Sequence, residues 1–186
     1  MREYTDVVLT AVKDLGEGPG PLVLVGQSMG ALTATLVCAT IPADLLVLVN
    51  PMVPRPGETP GAWWENTGHE QAVRAQARRD GVEPDMVEVF LHDLPADVRA
   101  QAVAGGDPDQ SGTPVALPWP VESWPDVPTR VLLGRDDRFF PLEFQRRVVA
   151  DRLGVPVDVM RGGHLMALSR PVELADRLVG YPTGSG

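Results

Sequence analysis

The chain has 186 residues, 44% of them hydrophobic, which is enough for one sizeable core and too little for two ordinary domains. The formal charge of -9 leaves no broad basic surface for a phosphate backbone, which argues against nucleic acid as a partner. No apolar run approaches the roughly 20 residues of a membrane span, and the first residues do not resemble a secretory signal. We therefore expect no membrane partner and a cytoplasmic location.

The first part of the chain alternates helix and strand. Apolar residues recur at three- and four-residue spacing over 4–15, which predicts an amphipathic helix. A continuous apolar run at 21–25 predicts a strand, the turn Gly26-Gln27-Ser28-Met29-Gly30 follows it, and 31–41 is typical of a helix. The next strand, 45–49, is apolar throughout, as are strands covered on both faces of a parallel sheet.

The composition changes between residues 51 and 128, where prolines are frequent and three short helical patterns lie near 69–79, 84–92 and 95–104. This segment is interpreted as an inserted helical cap. Alternation then resumes with a strand at 129–133, a helix at 141–153, a strand at 155–160 and a helix at 171–179. The pattern predicts one α/β domain over 1–186, with a parallel sheet flanked by helices and a small polar tail, 182–186, that frays.

One short motif carries the chemistry. The segment Gly26-Gln27-Ser28-Met29-Gly30 fits the G-x-S-x-G nucleophile elbow, in which flanking glycines let a strand turn sharply into a helix. We expect that both flanks must lack bulk for this turn to form. An apolar strand enters the motif and a helical pattern leaves it, which is the context that the motif requires. Ser28 is therefore the candidate nucleophile.

A serine nucleophile needs a base, and three histidines are available. His69 and His92 lie in helical patterns of the predicted cap, where a surface or packing role is the more common one. His164 follows the strand at 155–160, in a loop at the carboxyl end of a strand, where catalytic groups gather in open parallel sheets. His164 is therefore the candidate base, and a histidine at the entry of a helix is the alternative.

The carboxylate that orients the histidine should follow the preceding strand. Asp136 and Asp137 both do so, and Asp137 is preferred because the turn after Gly134 points it toward the open loop before the helix at 141. Asp136 remains the alternative for this role and would otherwise be a solvated residue of the turn. The order Ser28, Asp137, His164 is that of the hydrolases that carry this elbow.

Together, the elbow, the Gly134 to Asp137 turn and the Gly163-His164 loop resemble the α/β-hydrolase superfamily over nearly the whole chain. The segments 90–95 and 164–171 resemble its methylesterase and hydroxynitrile lyase branch and the bacterial relatives of that branch. The lyases have a lysine directly after the catalytic histidine, where this chain has Leu165. The resemblance therefore implies an ester hydrolase that works through an acyl-enzyme, with no cofactor and no metal.

The resemblance also implies that the backbone N–H of Met29, after the nucleophile, is one donor of the oxyanion hole. In the family, earlier strands and a His-Gly turn with a second donor precede the elbow, whereas here only one helix comes before the first strand. We expect either a piece of a longer protein or a shortened relative, with low activity because the second donor is missing. The four predicted strands should lie in sequence order, which makes the first an unprotected edge and favours self-association.

The substrate is expected to be a small apolar ester. Trp63, Trp64 and Phe90 in the predicted cap, together with Met52 and Leu91, are candidates for its pocket, although such residues more often pack a lid onto a core. The alternative function is a noncatalytic ligand-binding protein that keeps the pocket and the triad residues. Turnover of small p-nitrophenyl esters separates the two.

Overall fold

The protein is described by a computed structural model that covers residues 1–181 except 17, 19, 84 and 107–110. Its centre is a parallel sheet of four strands, β1 (Val23–Gln27), β2 (Leu45–Val49), β3 (Thr129–Gly134) and β4 (Val157–Met160), which lie in the order β1-β2-β3-β4. The α/β class, the parallel pairing and the strand order predicted from the sequence are confirmed. The tail at 182–186, predicted to fray, lies outside the described residues.

Helices flank this sheet. Their bounds in chain order are α1 (Arg2–Leu15), α2 (Gly30–Cys38), α3 (Pro60–Thr67), α4 (His69–Asp80), α5 (Met86–Leu91), α6 (Ala96–Gly105), α7 (Thr113–Ala116), α8 (Leu142–Arg152), α9 (Met166–Ser169) and α10 (Pro171–Gly180). Five of them, α3 to α7, lie between β2 and β3. The segment predicted as a cap is therefore helical and contains two helices more than the sequence patterns indicated.

Helix α3 was missed although its ends carry ordinary signals. The Thr59 hydroxyl accepts a hydrogen bond from the Ala62 N–H at 3.0 Å, and Pro60 occupies the first turn. Both features favour a helix start. Gly68 ends the helix in a left-handed conformation, with φ 70°. Helix α3 is therefore capped at both ends, although the surrounding prolines make the segment look irregular in the sequence.

The core lies on both faces of the sheet, and β2 shows this most clearly because all five of its residues are buried. Leu46 and Leu48 point to one face, where α2, α8 and the α3 residue Trp63 cover them. The alternate residues of β2 point to the other face, against Met166 and Leu174 of α9 and α10. The interpretation of β2 as a strand covered on both faces is confirmed.

Strand β1 lies at one edge of the sheet, as the sequence predicted, and Val25 within it is 46% exposed. The strand begins at Val23 and continues to Gln27, two residues later at each end than predicted, because Gly26 and Gln27 pair with Leu48 and Val49. The turn of the motif is thereby confined to Ser28 and Met29.

Among the described residues, no helix is long and apolar enough to cross a membrane.

A buried ion pair connects the segment before α3 to the end of α8. The side chains of Glu58 and Arg152 are only 8% and 4% exposed, and their charged atoms lie 2.5 Å apart. Burial alone would raise the pKa of Glu58, but hydrogen bonds from Arg152, Asn66 and the Arg55 N–H outweigh it and hold that pKa below its ordinary value. Folding therefore favours the ionised form of Glu58.

Replacing Glu58 by glutamine should lower the free energy of unfolding by about 3 kcal/mol at neutral pH, because it leaves Arg152 charged and buried. A carboxylate with a lowered pKa stabilises the fold above its unfolded pKa of about 4.3, and this contribution is lost as the pH falls through the lower folded value. The difference in the free energy of unfolding between the wild type and the variant should therefore become smaller in acid. Denaturant unfolding at pH 7 and near pH 3 measures both effects.

The matched control is Glu143→Gln, because Glu143 pairs with Arg146 on the surface and its side chain is 79% exposed. Exposed pairs contribute about 0–1 kcal/mol. Equal losses for the two variants, or a Glu58→Gln loss that persists unchanged in acid, would contradict the role given to the buried pair.

Candidate active site

The elbow at Ser28 is a strained connection between β1 and α2. Ser28 has φ 52°, in the left-handed region that residues other than glycine rarely adopt. Its N–H donates to the Val49 carbonyl at 3.0 Å, and its own carbonyl accepts from the Met52 N–H at 3.1 Å. These bonds to the last residue of β2 and to the segment after it hold the turn, so the serine is presented at the carboxyl edge of the sheet.

The two glycines of the motif differ in what they contribute. A Cβ added at Gly26 would lie 2.8 Å from both Ala31 Cα and Ala34 Cβ, whereas one added at Gly30 would meet no atom within 4 Å. The expectation that both flanks must lack bulk is therefore correct only for Gly26. Helix α2 crosses directly over Gly26 and leaves Gly30 open.

We expect Gly26→Ala to lower the free energy of unfolding by about 1–3 kcal/mol, because the added methyl group overpacks the contact between β1 and α2. Gly30→Ala, the matched control, should be neutral or stabilising, since alanine is favoured over glycine in a helix by about 1 kcal/mol. Denaturant unfolding of both variants provides the measurement. Similar losses at the two positions would show that the close approach at Gly26 does not decide stability.

The backbone N–H of Met29 lies at the amino end of α2, where helical N–H groups lack acceptors within the helix. Among the described residues, this N–H donates to no acceptor, while the Met29 carbonyl accepts from Leu32. The N–H group is therefore available to an anion. The partial positive charge of the helix terminus strengthens the attraction for that anion.

Asp137 follows β3 and is almost completely buried. Its Oδ1 accepts hydrogen bonds from the N–H groups of Phe139 and Phe140, both at 2.8 Å, and its Oδ2 lies 2.8 Å from Nδ1 of His164. All of these partners suit an ionised carboxylate, which only accepts hydrogen bonds. The structure thus brings Asp137 and His164 together as a fixed pair.

Asp136 points elsewhere. Its Oδ2 accepts from the Gly162 N–H at 3.2 Å, and its carboxylate pairs with Arg135 at 3.1 Å on a side chain that is 39% exposed. Burial would raise the pKa of Asp136, but the bonds from Arg135 and Gly162 outweigh it and lower that pKa. Asp136 ties the loop after β4 to the loop after β3 and does not contact the histidine ring.

His164 is buried among aromatic side chains. The rings of Phe90, Phe139 and Phe140 stand edge-on to the imidazole, with centroids 5.2, 5.0 and 5.0 Å away. With Nδ1 bonded to Asp137, Nε2 is the nitrogen that remains for a proton transfer. The Ser28 hydroxyl has no hydrogen-bond partner among the described residues, so no hydrogen bond links it to the imidazole in this structure.

Two side chains that the sequence did not single out hold the histidine loop. Gln27, which precedes the serine, donates from Nε2 to the His164 carbonyl at 2.8 Å. Asn50, which follows β2, donates from Nδ2 to the carbonyls of Gly163 and His164. The sequence contains no signal for these partners of Asn50, which lie more than 110 residues away.

The segment between β2 and β3 reaches the same loop through Asp93. Its Oδ2 accepts from the Gly163 N–H at 2.7 Å. A Cβ on Gly163 would lie 2.6 Å from Asp93 Oδ1 and 2.8 Å from His92 Cε1, so a larger residue would have to displace these two side chains. The helices between β2 and β3 are therefore seated directly on the loop of the candidate base.

The three residues predicted to bind substrate occupy different places. Phe90 contacts His164 and stacks near Phe139, with ring centroids 4.3 Å apart, so it lies at the candidate site. Trp63 has no exposed surface, and its Nε1 donates to the Val53 carbonyl at 3.0 Å. In this conformation Trp63 offers no surface to a ligand and packs the core. Trp64 is half-buried beside Phe139, at 5.6 Å between centroids.

His69 is a packing residue of the same aromatic cluster. Its Nε2 lies 2.7 Å from the Phe139 carbonyl, and its ring contacts Trp64 with centroids 4.7 Å apart. Burial lowers the pKa of His69, which favours the neutral ring. A cavity of about 740 Å³ opens beside it between α4 and α5, with His69, Phe139 and Val89 on its wall.

The chain is similar to proteins of one family over most of its length. The family model described as "Alpha/beta hydrolase family" matches residues 1–177. No curated protein matches the chain significantly. Similar solved structures include polyneuridine aldehyde esterase, which is 18% identical with a TM-score of 0.72 and aligns over 97% of this chain and 79% of its own.

Two bacterial structures are also similar. A pyrethroid hydrolase from Sphingobium faniae JZ-2 is 20% identical with a TM-score of 0.65, over 94% of this chain and 76% of its own. An extracellular α/β-hydrolase from a Paenibacillus species is 18% identical with a TM-score of 0.71, over 95% of this chain and 77% of its own. At these identities the likeness establishes the fold.

Proposed function

The chain belongs to the α/β-hydrolase family, and we propose that it is a serine-type carboxylic-ester hydrolase with Ser28, Asp137 and His164 as its triad. The observation that carries this proposal is the buried contact between Asp137 Oδ2 and His164 Nδ1, beside a serine held at φ 52°. A buried carboxylate and histidine form a general base, and the strained elbow presents a hydroxyl at the same edge of the sheet.

Acylation begins when His164 Nε2 takes the proton of the Ser28 hydroxyl. The oxygen then attacks the ester carbonyl, and the negative charge that develops on the carbonyl oxygen is stabilised by the Met29 N–H. Asp137 holds the imidazole in the reactive tautomer and stabilises its protonated form. Collapse of the intermediate breaks the ester bond, the alcohol leaves with the proton from His164, and the acyl group remains on Ser28.

Deacylation repeats these steps with water. His164 takes a proton from the water molecule, the hydroxide attacks the acyl-enzyme, and the acid departs as the proton returns to Ser28. The Met29 N–H is the oxyanion donor identified among the described residues, and removing one donor from such a site costs about a hundred- to a thousand-fold in turnover.

The side chains around His164 favour an apolar ester. Apart from Asp137, the ring partners of His164 among the described residues are the aromatic side chains of Phe90, Phe139 and Phe140. Phe139 also lines the cavity between α4 and α5, which links that space to the site. The similar structures named as an esterase and a pyrethroid hydrolase are consistent with ester chemistry.

A noncatalytic ligand-binding protein is the second candidate. The similar Paenibacillus hydrolase is described as sharing structural and functional homology with tobacco salicylic acid binding protein 2. In addition, the Ser28 hydroxyl makes no bond to the imidazole in this structure. A protein of this kind would retain the pocket and bind an apolar ligand without turnover.

A fluorophosphonate probe and p-nitrophenyl butyrate separate the two candidates. A serine hydrolase should be labelled at Ser28, located by mass spectrometry of the modified peptide, and the label should block release of p-nitrophenol. A binding protein should be neither labelled nor active. Label on another serine, or hydrolysis that persists after stoichiometric labelling of Ser28, would refute the proposed nucleophile.

A further inference from the structure

We propose that Asn50 is a positioning residue that holds the loop of the catalytic carboxylate and the loop of the catalytic histidine in register. Its single side-chain amide touches both loops, although Asn50 itself lies at the end of a third strand, β2. The proposal rests on the proposed function, because it concerns the geometry of the Asp137 and His164 pair.

The amide of Asn50 bridges the backbones on either side. Its Oδ1 accepts from the Gly134 N–H at 2.7 Å, which fixes the first residue of the turn that leads to Asp137. Its Nδ2 donates to the carbonyls of Gly163 at 3.2 Å and His164 at 3.1 Å. The amide thus uses its acceptor on the carboxylate side and its donors on the histidine side.

The burial of Asn50 and its strained backbone both indicate that the surrounding contacts determine the position of its amide. Asn50 has no exposed surface, so each amide group must be satisfied within the protein. Its φ of 42° lies in the left-handed region, which asparagine tolerates better than most residues. A conformation of this kind persists only where surrounding contacts determine it, and here those contacts are the two catalytic loops.

The backbones of the two loops that Asn50 bridges also contact each other directly. A Cβ on Gly134 would lie 2.7 Å from the carbonyl oxygens of both Gly162 and Gly163 and 3.4 Å from Asn50 Nδ2. The backbone after β3 therefore packs directly against the backbone after β4. A small shift between them would move Asp137 relative to His164, and the Asn50 amide opposes that shift.

Neither of two close substitutions can reproduce this bridge. Asn50→Asp keeps the size and the acceptor for Gly134 but places a carboxylate against two carbonyl oxygens. Asn50→Ala removes donor and acceptor together. Either change should lower kcat for p-nitrophenyl butyrate by about 100-fold, the effect of misplacing catalytic groups by roughly 1 Å, with KM changed much less. The variant Asn50→Asp is the arm to use if Asn50→Ala does not fold.

A spectroscopic measurement separates positioning from stability. The proton between His164 Nδ1 and Asp137 should give a low-field resonance in the proton spectrum, and both variants should shift or broaden it. Thr35→Val is the control, because it removes a buried hydroxyl that bonds to the Ala31 carbonyl within α2, at 2.7 Å. This control should leave the resonance and kcat unchanged at a comparable loss of stability.

The outcomes distinguish this inference from the proposed function. If Ser28 is labelled and active in the wild type but folded Asn50 variants keep full kcat and an unchanged resonance, the positioning role is overturned and the proposed function stands. Loss of activity in Thr35→Val equal to that in the Asn50 variants would also overturn it. If the wild type is neither labelled nor active, the proposed function fails, and a shifted resonance in the Asn50 variants still supports the bridge.

Discussion

Replacing Ser28 by alanine is expected to abolish ester hydrolysis while the protein remains folded. The loss should approach a million-fold in kcat, the order of magnitude found when the nucleophile of a serine triad is removed. The fold should survive because the serine hydroxyl has no hydrogen-bond partner among the described residues. Initial rates with p-nitrophenyl acetate and butyrate, together with circular dichroism, measure the two parts of this prediction.

The matching variant His164→Ala should be nearly as severe, because nucleophile and base act as one unit and their losses do not add. The double variant should therefore be about as slow as either single one. Ser111→Ala is the control, since this exposed serine bonds to Thr113 within the segment between β2 and β3. An unchanged rate in Ser28→Ala, or a double variant far slower than both single ones, would refute the triad.

The sheet was predictable from the sequence because its strands contain runs of apolar residues, most clearly in β2, which is buried on both faces. Strand β2 is apolar at all five positions, and its predicted bounds are those of the structure. Strand β1 was placed two residues early, because Pro21 and Leu22 are apolar but stand before the ladder, whereas Gly26 and Gln27 are paired within it. Apolar character marks the strand, while strand pairing sets its ends.

The site was predictable only where chemistry requires particular residue types at the ends of strands. Ser28, Asp137 and His164 follow β1, β3 and β4, and the carboxyl ends of parallel strands meet at one edge. The structure places Asp137 against the imidazole and directs Asp136 to Gly162. The sequence favours Asp137 from the turn after Gly134 but leaves Asp136 as an alternative, because the folded backbone sets the direction of that turn.

The supporting contacts could not be predicted, because they join positions that are far apart in the sequence. Gln27 and Asn50 reach the His164 carbonyl from 137 and 114 residues away. Trp63 shows the opposite difficulty. Its large apolar side chain makes it a candidate for a substrate pocket, but the aromatic rings of Phe140 and Phe144 enclose it. Residue type alone does not distinguish a pocket wall from a core.

Replacing Asp137 by asparagine should lower kcat by about 10,000-fold, the effect of this change in a serine triad, where it favours the wrong tautomer of the histidine. An asparagine amide group in place of Oδ2 would donate to His164 Nδ1, so the ring proton would move to Nε2, which could no longer accept the proton of Ser28. Steady-state rates with p-nitrophenyl butyrate measure the loss, and the probe should label Ser28 correspondingly slowly.

Asp136→Asn is the matched control, because it changes the adjacent carboxylate that bonds to Gly162 and Arg135 and not to the imidazole. The exposed pair with Arg135 contributes about 0–1 kcal/mol, so this variant should keep kcat within roughly 10-fold of the wild type. Because the two aspartates are neighbours on one turn, a general disturbance of the loop would affect both variants alike. A larger loss in Asp136→Asn than in Asp137→Asn would transfer the catalytic role to Asp136.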